Sequence, residues 1–276
     1  MRRSLSVALA FLLAGCSAMH GAPPASPPAP GSAHPVIDRI VQRGELRVGT
    51  SGNQPPLTAA TKDGKIIGFD IDLAAELAKA MNVRLTPVPM QFAELLPSLE
   101  RGEVDMVLSG LTITPERNLK AAFVGPYLVS GMSLLTKQHT MTRLRHAEEI
   151  DTAKVRLAAL RSSTAETFAR EKLPHAKLVL VDTLDEGVEL VRKGKVDALL
   201  ADHPFCLVAV SRYKNDHFET LATPFTFEAL GIALPPSDPL LVNWTQNTLA
   251  DLDDSGAILD MMYKWFEEDA WMKQLR

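Results

Sequence analysis

The residues best suited to chemistry lie in one stretch, Ser109 to Arg117, which reads S-G-L-T-I-T-P-E-R. It offers backbone groups around Gly110, the Thr112 hydroxyl and the Arg117 guanidinium. Together these can hold a small carboxylate, with arginine as the bidentate partner. The apolar run Val104–Leu108 before it reads as a buried parallel strand. Thr114, Pro115 and Glu116 then suit an N-cap, a first helical position and a first helical turn. In open α/β sheets, ligands sit at such strand-to-helix loops, outside the carboxyl ends of the strands. Taken alone, the nine residues fit a capped surface helix with Arg117 in solvent better.

Two other loops carry polar groups after apolar runs. Arg161-Ser162-Ser163-Thr164 follows Val155–Leu160, and Asp202 ends Val196–Ala201. Asp70 and Asp72 resemble a metal pair, yet acids in a first helical turn are usually dipole partners, and that role is expected for them. No Ser-His-Asp, Cys-His or metal-ligand spacing occurs, so neither metal nor cofactor is expected. His203 is the acid–base candidate nearest Asp202, with a loop or rim position expected.

The elements that must position these loops repeat. Glu45–Thr50 reads as a strand, residues 68–82 as a helix capped by Asp70 or Asp72 and closed by Asn82, and Arg84–Met90 as a strand. Phe92–Glu100 reads as a helix before Val104–Leu108. Short connections between alternating strands and helices imply a parallel sheet. Met132–Lys137 is an extended apolar segment, and Arg143–Ile150 a polar helical stretch. From Val155 the pattern restarts: a strand to Leu160, a helix Ala165–Lys172, a strand Leu178–Val181, a helix Leu184–Arg192 and a strand Val196–Ala201. L-E-R-G-E-V-D-M-V-L-S-G (99–110) and V-R-K-G-K-V-D-A-L-L-A-D (191–202) are the same supersecondary unit twice. Two such lobes face to face would set Ser109–Arg117 opposite Arg161–Thr164 and Asp202, across the kind of interdomain cleft where small ligands bind. The tail adds a strand, Ala229–Leu234, and helices Leu240–Leu252 and Ala257–Glu267, with Trp265, Phe266 and Trp271 as packing residues.

The whole-chain composition narrows the function classes. With 276 residues, 46% hydrophobic and 22% charged, and a formal charge of −4, the chain has material for two modest lobes and no basic surface for nucleic acid. Arg2, Arg3 and the apolar run Leu5–Leu13 form an export signal over residues 1–15. Its end, Leu13-Ala14-Gly15-Cys16, looks like a bacterial lipobox, which implies cleavage before Cys16 and lipidation of its thiol. Loss of two positive charges with the leader takes the formal charge from −4 to −6. Residues 16–35 form a Pro/Ala-rich tether, unable to build a core. Beyond the leader no apolar stretch is long enough to span a membrane. Cys206, the other cysteine, is expected to be a small buried hydrophobe.

At this level the chain resembles the periplasmic solute-binding proteins of polar amino-acid ABC importers, extracellular solute-binding family 3. The resemblance runs through L-R-V-G-T-S-G-N-Q-P-P-L, G-F-D-I-D-L-A, L-L-P-S-L-E-R-G-E-V-D, S-G-L-T-I-T-P-E-R, F-V-G-P-Y, V-D-A-L-L-A-D and S-G-A-I-L-D-M-M-Y-K-W-F, in order, over most of residues 36–268. It implies an α/β, two-lobed periplasmic-binding-protein-like fold (type II). Each lobe is a mostly parallel sheet flanked by helices, and two crossover segments join them. Residues 36–130 and 231–276 would form lobe 1, and 131–230 lobe 2. The family's carboxylate-binding groups fall on Arg117, Thr112 and Gly110, with Thr164 and Ser163 meeting the same group from lobe 2. Its ammonium-binding acid falls on Asp202. A buried zwitterion needs a cation at one end and an anion at the other.

Departures from the family pattern bear on the side-chain pocket. Gln54 stands where an aromatic is frequent, and Leu57 where Phe is usual. Ser51 stands where binders of basic amino acids tend to carry Asp, and Ser162 where Gly is common. Phe92 falls at a position that packs on the ligand side chain. Arg161 would either reach a polar or acidic ligand side chain or lie on the surface. The resemblance therefore implies a monomeric, lipid-anchored periplasmic receptor that passes an α-amino acid to an ABC permease. Ser17 resembles an outer-membrane sorting signal, and a Gram-positive cell surface stays open. Two alternatives share the fold: a cyclohexadienyl-dehydratase-like enzyme, and a sensor without transport. Those dehydratases are expected to carry Glu three residues past the strand-ending acid, where this chain has Phe205.

Overall fold

The computed structural model describes residues 34–276. The leader, Cys16 and the tether up to residue 33 lie outside the described residues. In chain order the elements are α1 (Pro35–Arg43), β1 (Glu45–Thr50), β2 (Asn53–Gln54), β3 (Thr58–Ala60), β4 (Ile66–Ile67), α2 (Phe69–Ala80), β5 (Arg84–Pro89), α3 (Leu95–Glu100), β6 (Met106–Val107), α4 (Pro115–Asn118) and β7 (Ala122–Ser130). There follow β8 (Met132–Thr136), β9 (Arg156–Leu160), α5 (Thr164–Lys172), β10 (Lys177–Val181), α6 (Leu184–Arg192), β11 (Ala198–Asp202), α7 (His203–Arg212), β12 (Glu219–Thr220), β13 (Glu228–Leu234), α8 (Pro239–Asp254) and α9 (Ala257–Met262).

Each lobe is built on a five-stranded sheet. The first has the order β5-β1-β6-β13-β7, the second β10-β9-β11-β8-β12. The three βαβ-linked strands of each are parallel, and the strands that carry the chain between lobes, β13 and β8, run antiparallel to their neighbours. The two crossings are short and lie side by side. Gly131 separates β7 from β8, the Phe225 amide donates to the Met132 carbonyl at 2.7 Å, and Met132 donates to Thr226 Oγ1 at 2.9 Å.

The repeated unit is repeated in detail. In lobe 1 the Asp105 amide donates to the Arg47 carbonyl, and the Arg47 amide donates back to the Asp105 carboxylate at 2.9 Å. In lobe 2 Asp197 and Arg156 make the same pair of bonds. Each aspartate thus pins the turn after a helix to the first residues of the neighbouring strand. Helix α6 shows how local signals build the unit. Thr183 caps it by accepting from the Glu186 amide, Leu184, Val188 and Val191 are buried, and Gly194 in the left-handed region ends the turn.

Several sequence expectations are corrected. Neither Asp70 nor Asp72 caps α2. Gly68 holds that place, Asp70 is buried beneath the Ser109–Arg117 loop, and Asp72 accepts from the Trp265 indole and Lys264. The strand expected over Val104–Leu108 pairs only at Met106–Val107, because its ends serve the Asp105 turn and the loop. The polar stretch before Ile150 is two 3-10 turns, His139–Arg143 and Ala147–Ile150. The last helix changes to a π-turn at Tyr263–Glu267, which leaves Trp265 tilted against Trp271 at 5.3 Å. Elements that were not expected include α1, β7 and α7 and the short strands β2, β3 and β12.

Candidate functional site

The Ser109–Arg117 loop leaves the carboxyl end of β6 and is stitched to β13. The Ile113 amide donates to the Ala229 carbonyl at 2.8 Å, and the Gly231 amide to the Leu111 carbonyl at 3.0 Å. Gly110 turns the chain at a φ of 57°, where a side chain would strike Gln54 and Leu57. Its amide donates to Asp70 at 2.7 Å. Burial pushes the Asp70 carboxyl up to about 7, against the Gly110 hydrogen bond and the influence of the nearby Tyr127 hydroxyl. A buried acid of α2 therefore fixes the loop from below.

Thr114 caps α4, and one turn on Arg117 reaches back over the loop. Its Nη1 donates to the Thr112 carbonyl at 2.8 Å, its Nη2 to the Ser162 carbonyl of lobe 2 at 3.1 Å, and its guanidinium lies over the Phe92 ring at 5.7 Å. Burial lowers the Arg117 pKa, opposed by the charges of Glu228 and Asp202.

Asp202 stands at the carboxyl end of β11, just before α7. It accepts from the Gln54 side-chain amide of lobe 1, and from Ser130 Oγ at 3.5 Å. Burial and the charge of Glu228 push its carboxyl up to about 7, against the hydrogen bonds from Gln54 and Ser130 and the charge of Arg117. Ser163 caps α5 and donates to the Leu160 carbonyl at 2.6 Å. Thr164 donates to Glu228 at 2.7 Å.

Eight of the nine expected binding residues line one cavity between the lobes: Gln54, Phe92, Gly110, Thr112, Arg117, Ser163, Thr164 and Asp202. Met132, Leu160, Ala165, Leu184, Leu200 and Ala201 complete its apolar wall. The space left is about 20 Å³, room for about one water. Arg161 is not brought to it. It is exposed and paired with Asp182 at 2.8 Å. His203 opens α7, its amide donating to Gly131, and burial lowers its pKa. Phe205, three residues past Asp202, is buried in the core of lobe 2. Sequence reasoning missed Glu228, Asp70 and Ser130. Glu228 opens a strand as a lone acid, Asp70 has the position of a helix-dipole acid, and Ser130 is an ordinary serine, so none carried a local signal.

Further bonds draw the lobes together. Asn53 accepts from the Leu184 amide at 2.6 Å and donates to Asp185 at 2.8 Å, at the start of α6.

Residues 46–268 match the family described as bacterial extracellular solute-binding proteins, family 3. The L-cystine-binding protein TcyJ of Escherichia coli K12 is 27% identical over 234 residues, which cover 85% of this chain and 87% of that protein. A cyclohexadienyl dehydratase of Pseudomonas aeruginosa is 28% identical over 235 residues, 84% and 86% of the two chains. Among solved structures, a binding component of an ABC transporter from Wolinella succinogenes, complexed with lysine, superposes with a TM-score of 0.80. It shows 36% identity over 84% of this chain and 99% of that one.

Proposed function

The chain belongs to the bacterial extracellular solute-binding proteins, family 3, and from that premise we propose that it captures an α-amino acid between its lobes and delivers it to an ABC permease. One observation carries the proposal: a guanidinium from lobe 1 and a carboxylate from lobe 2, Arg117 and Asp202, line the same cavity. They are the two charges a zwitterion needs, and they come from bodies that can separate and close. In this scheme Arg117 takes the guest's carboxylate with Thr112 and Thr164, Asp202 takes its ammonium, and Phe92 packs on its side chain. The names of the relatives, which bind cystine or hold lysine, support an amino-acid guest without choosing one. The space left between Arg117 and Asp202 is too small for an amino acid, and in this scheme the lobes part to admit one.

The L-A-G-C sequence ending at Cys16 supports a lipid anchor in a bacterial membrane, with the binding domain on the periplasmic or outer side. Mass spectrometry of the N-terminal peptide tests it: a diacylglyceryl-modified Cys16 is expected, and an unmodified thiol would contradict it.

The test of binding is a thermal-shift screen against the common amino acids and cystine, followed by calorimetry on the hits. Arg117→Ala and Asp202→Ala are each expected to abolish the signal while leaving the fold intact. A variant that binds the hit normally removes that residue from the clamp.

The dehydratase relative favours a second reading, an enzyme on the same fold, with the raised Asp202 carboxyl as the group able to donate a proton. Against it, Phe205 stands where those enzymes are expected to carry Glu. Incubation with prephenate or arogenate separates the two: turnover well above background would establish the enzyme.

A further inference from the structure

Glu228 opens β13 next to the crossing between lobes, is 7% exposed, and has no part in the scheme above. Its Oε2 accepts from Thr112 Oγ1 of lobe 1 at 2.8 Å and from Thr164 Oγ1 of lobe 2 at 2.7 Å. Its Oε1 accepts from Thr226 Oγ1 at 3.0 Å, and its charge acts on Arg117. Two of the three side chains assigned to a guest's carboxylate, Thr112 and Thr164, therefore already hold a carboxylate of the chain itself, and the third, Arg117, feels its charge. At the other end of the cavity, the Gln54 amide donates to Asp202 as a guest's ammonium would.

A hydroxyl has one proton to donate. Thr112 and Thr164 cannot give the same proton to Glu228 and to a guest. The register fixes the rivalry, because the bridge between Thr112 and Leu230 holds the threonine beside the start of β13.

We propose that Glu228 is an internal competitor for the carboxylate seat: it bridges the two threonine hydroxyls, draws the lobes together, and must let go before a guest's carboxylate binds. Glu228 then sets affinity without touching the guest. The inference rests on the assignment of an amino acid to the Arg117–Asp202 cleft. The guest binds only those molecules in which Glu228 has released, so apparent affinity is the intrinsic value reduced by that fraction. With roughly nine molecules in ten latched, the reduction is about tenfold.

The experiment compares wild type, Glu228→Ala and Glu228→Gln by two readouts: calorimetry with the common amino acids and cystine, and small-angle scattering with no amino acid added. Both variants are expected to bind tighter, Glu228→Ala by about tenfold and Glu228→Gln by less, since its amide oxygen still accepts from both hydroxyls. Without amino acid, Glu228→Ala is expected to show a larger radius of gyration than wild type. Should Glu228→Ala fail to fold, the same directions apply to Glu228→Gln. Weaker binding in both variants would make Glu228 a contact of the guest and overturn the proposal, as would unchanged affinity with an unchanged radius. If no amino acid binds any form yet the radius grows, the latch stands and the amino-acid assignment falls. If no amino acid binds and the radius is constant, both fall.

Discussion

Gln54 of lobe 1 donates its side-chain amide to Asp202 of lobe 2. The bond joins the lobes through the group assigned to a guest's ammonium, so closing the cleft and filling it draw on the same carboxylate. Gln54→Leu removes the donor and puts a branched apolar side chain in its place. Without amino acid, this variant is expected to be more open by small-angle scattering than wild type. An unchanged radius would mean that the Asn53, Arg117 and Glu228 bonds hold the lobes together without it.

Binding is expected to depend on pH through Asp202. Its carboxyl is pushed up to about 7 by burial and the charge of Glu228. Ionised, it faces the guest's ammonium; protonated, it offers no charge. Affinity for an amino acid should therefore weaken as pH falls from 8 to 6, measured by calorimetry. A flat profile over that range would show that the carboxyl ionises normally once the guest is bound.

The clamp itself has a size. Arg117 is held by Thr112 and Ser162 and stacked over Phe92. Truncating a desolvated, hydrogen-bonded charge costs about 2–5 kcal/mol, a loss of roughly 30-fold or more in affinity. Arg117→Lys keeps the charge and loses the planar fork, so it too should bind well below wild type. Equal calorimetric affinity for the lysine variant would mean that charge alone suffices.

Stability is expected to fall as pH rises through the acidic and neutral range because of Asp70. Its pKa is raised from 3.8 to about 7 by burial. The folded state then binds the proton more tightly than the unfolded chain. The stabilisation is fully present below about pH 4 and is lost as pH approaches 7. Asp70→Asn keeps an oxygen for the Gly110 amide and removes the ionisation. Thermal unfolding at pH 5 and pH 8 should show a smaller difference in this variant than in wild type. An equal difference would place the pH sensitivity elsewhere.

The paired aspartates of the repeated unit should differ in cost. Asp105 is 1% exposed and accepts from Arg39 and Arg43 as well as the Arg47 amide. Asp197 is partly exposed and pairs with Arg156. Removing one partner of a buried ion cluster costs about 3–5 kcal/mol, whereas a partly exposed pair is worth about 1 kcal/mol or less. Asp105→Ala should therefore lower the melting temperature by far more than Asp197→Ala. Equal losses would show that the backbone bonds of the turn, shared by both, dominate.

Much of this protein is written locally. The repeated Gly-x-Val-Asp units, the apolar runs ending in Ser109 and Asp202, and the Thr114 and Ser163 caps fix two α/β lobes and the loops at their strand ends. Strand, turn and cap preferences act over a few residues, so their signal survives in sequence alone. The tertiary structure decided which of those loops share a cavity, and it sent Arg161 outward to Asp182. It also buried Asp70 under Gly110 and set Glu228 between Thr112 and Thr164. Those contacts join residues from 40 to 116 positions apart, or 21 in the case of Arg161. Their partners are chosen by sheet order and lobe closure, and no nearby residue carries a trace of that choice.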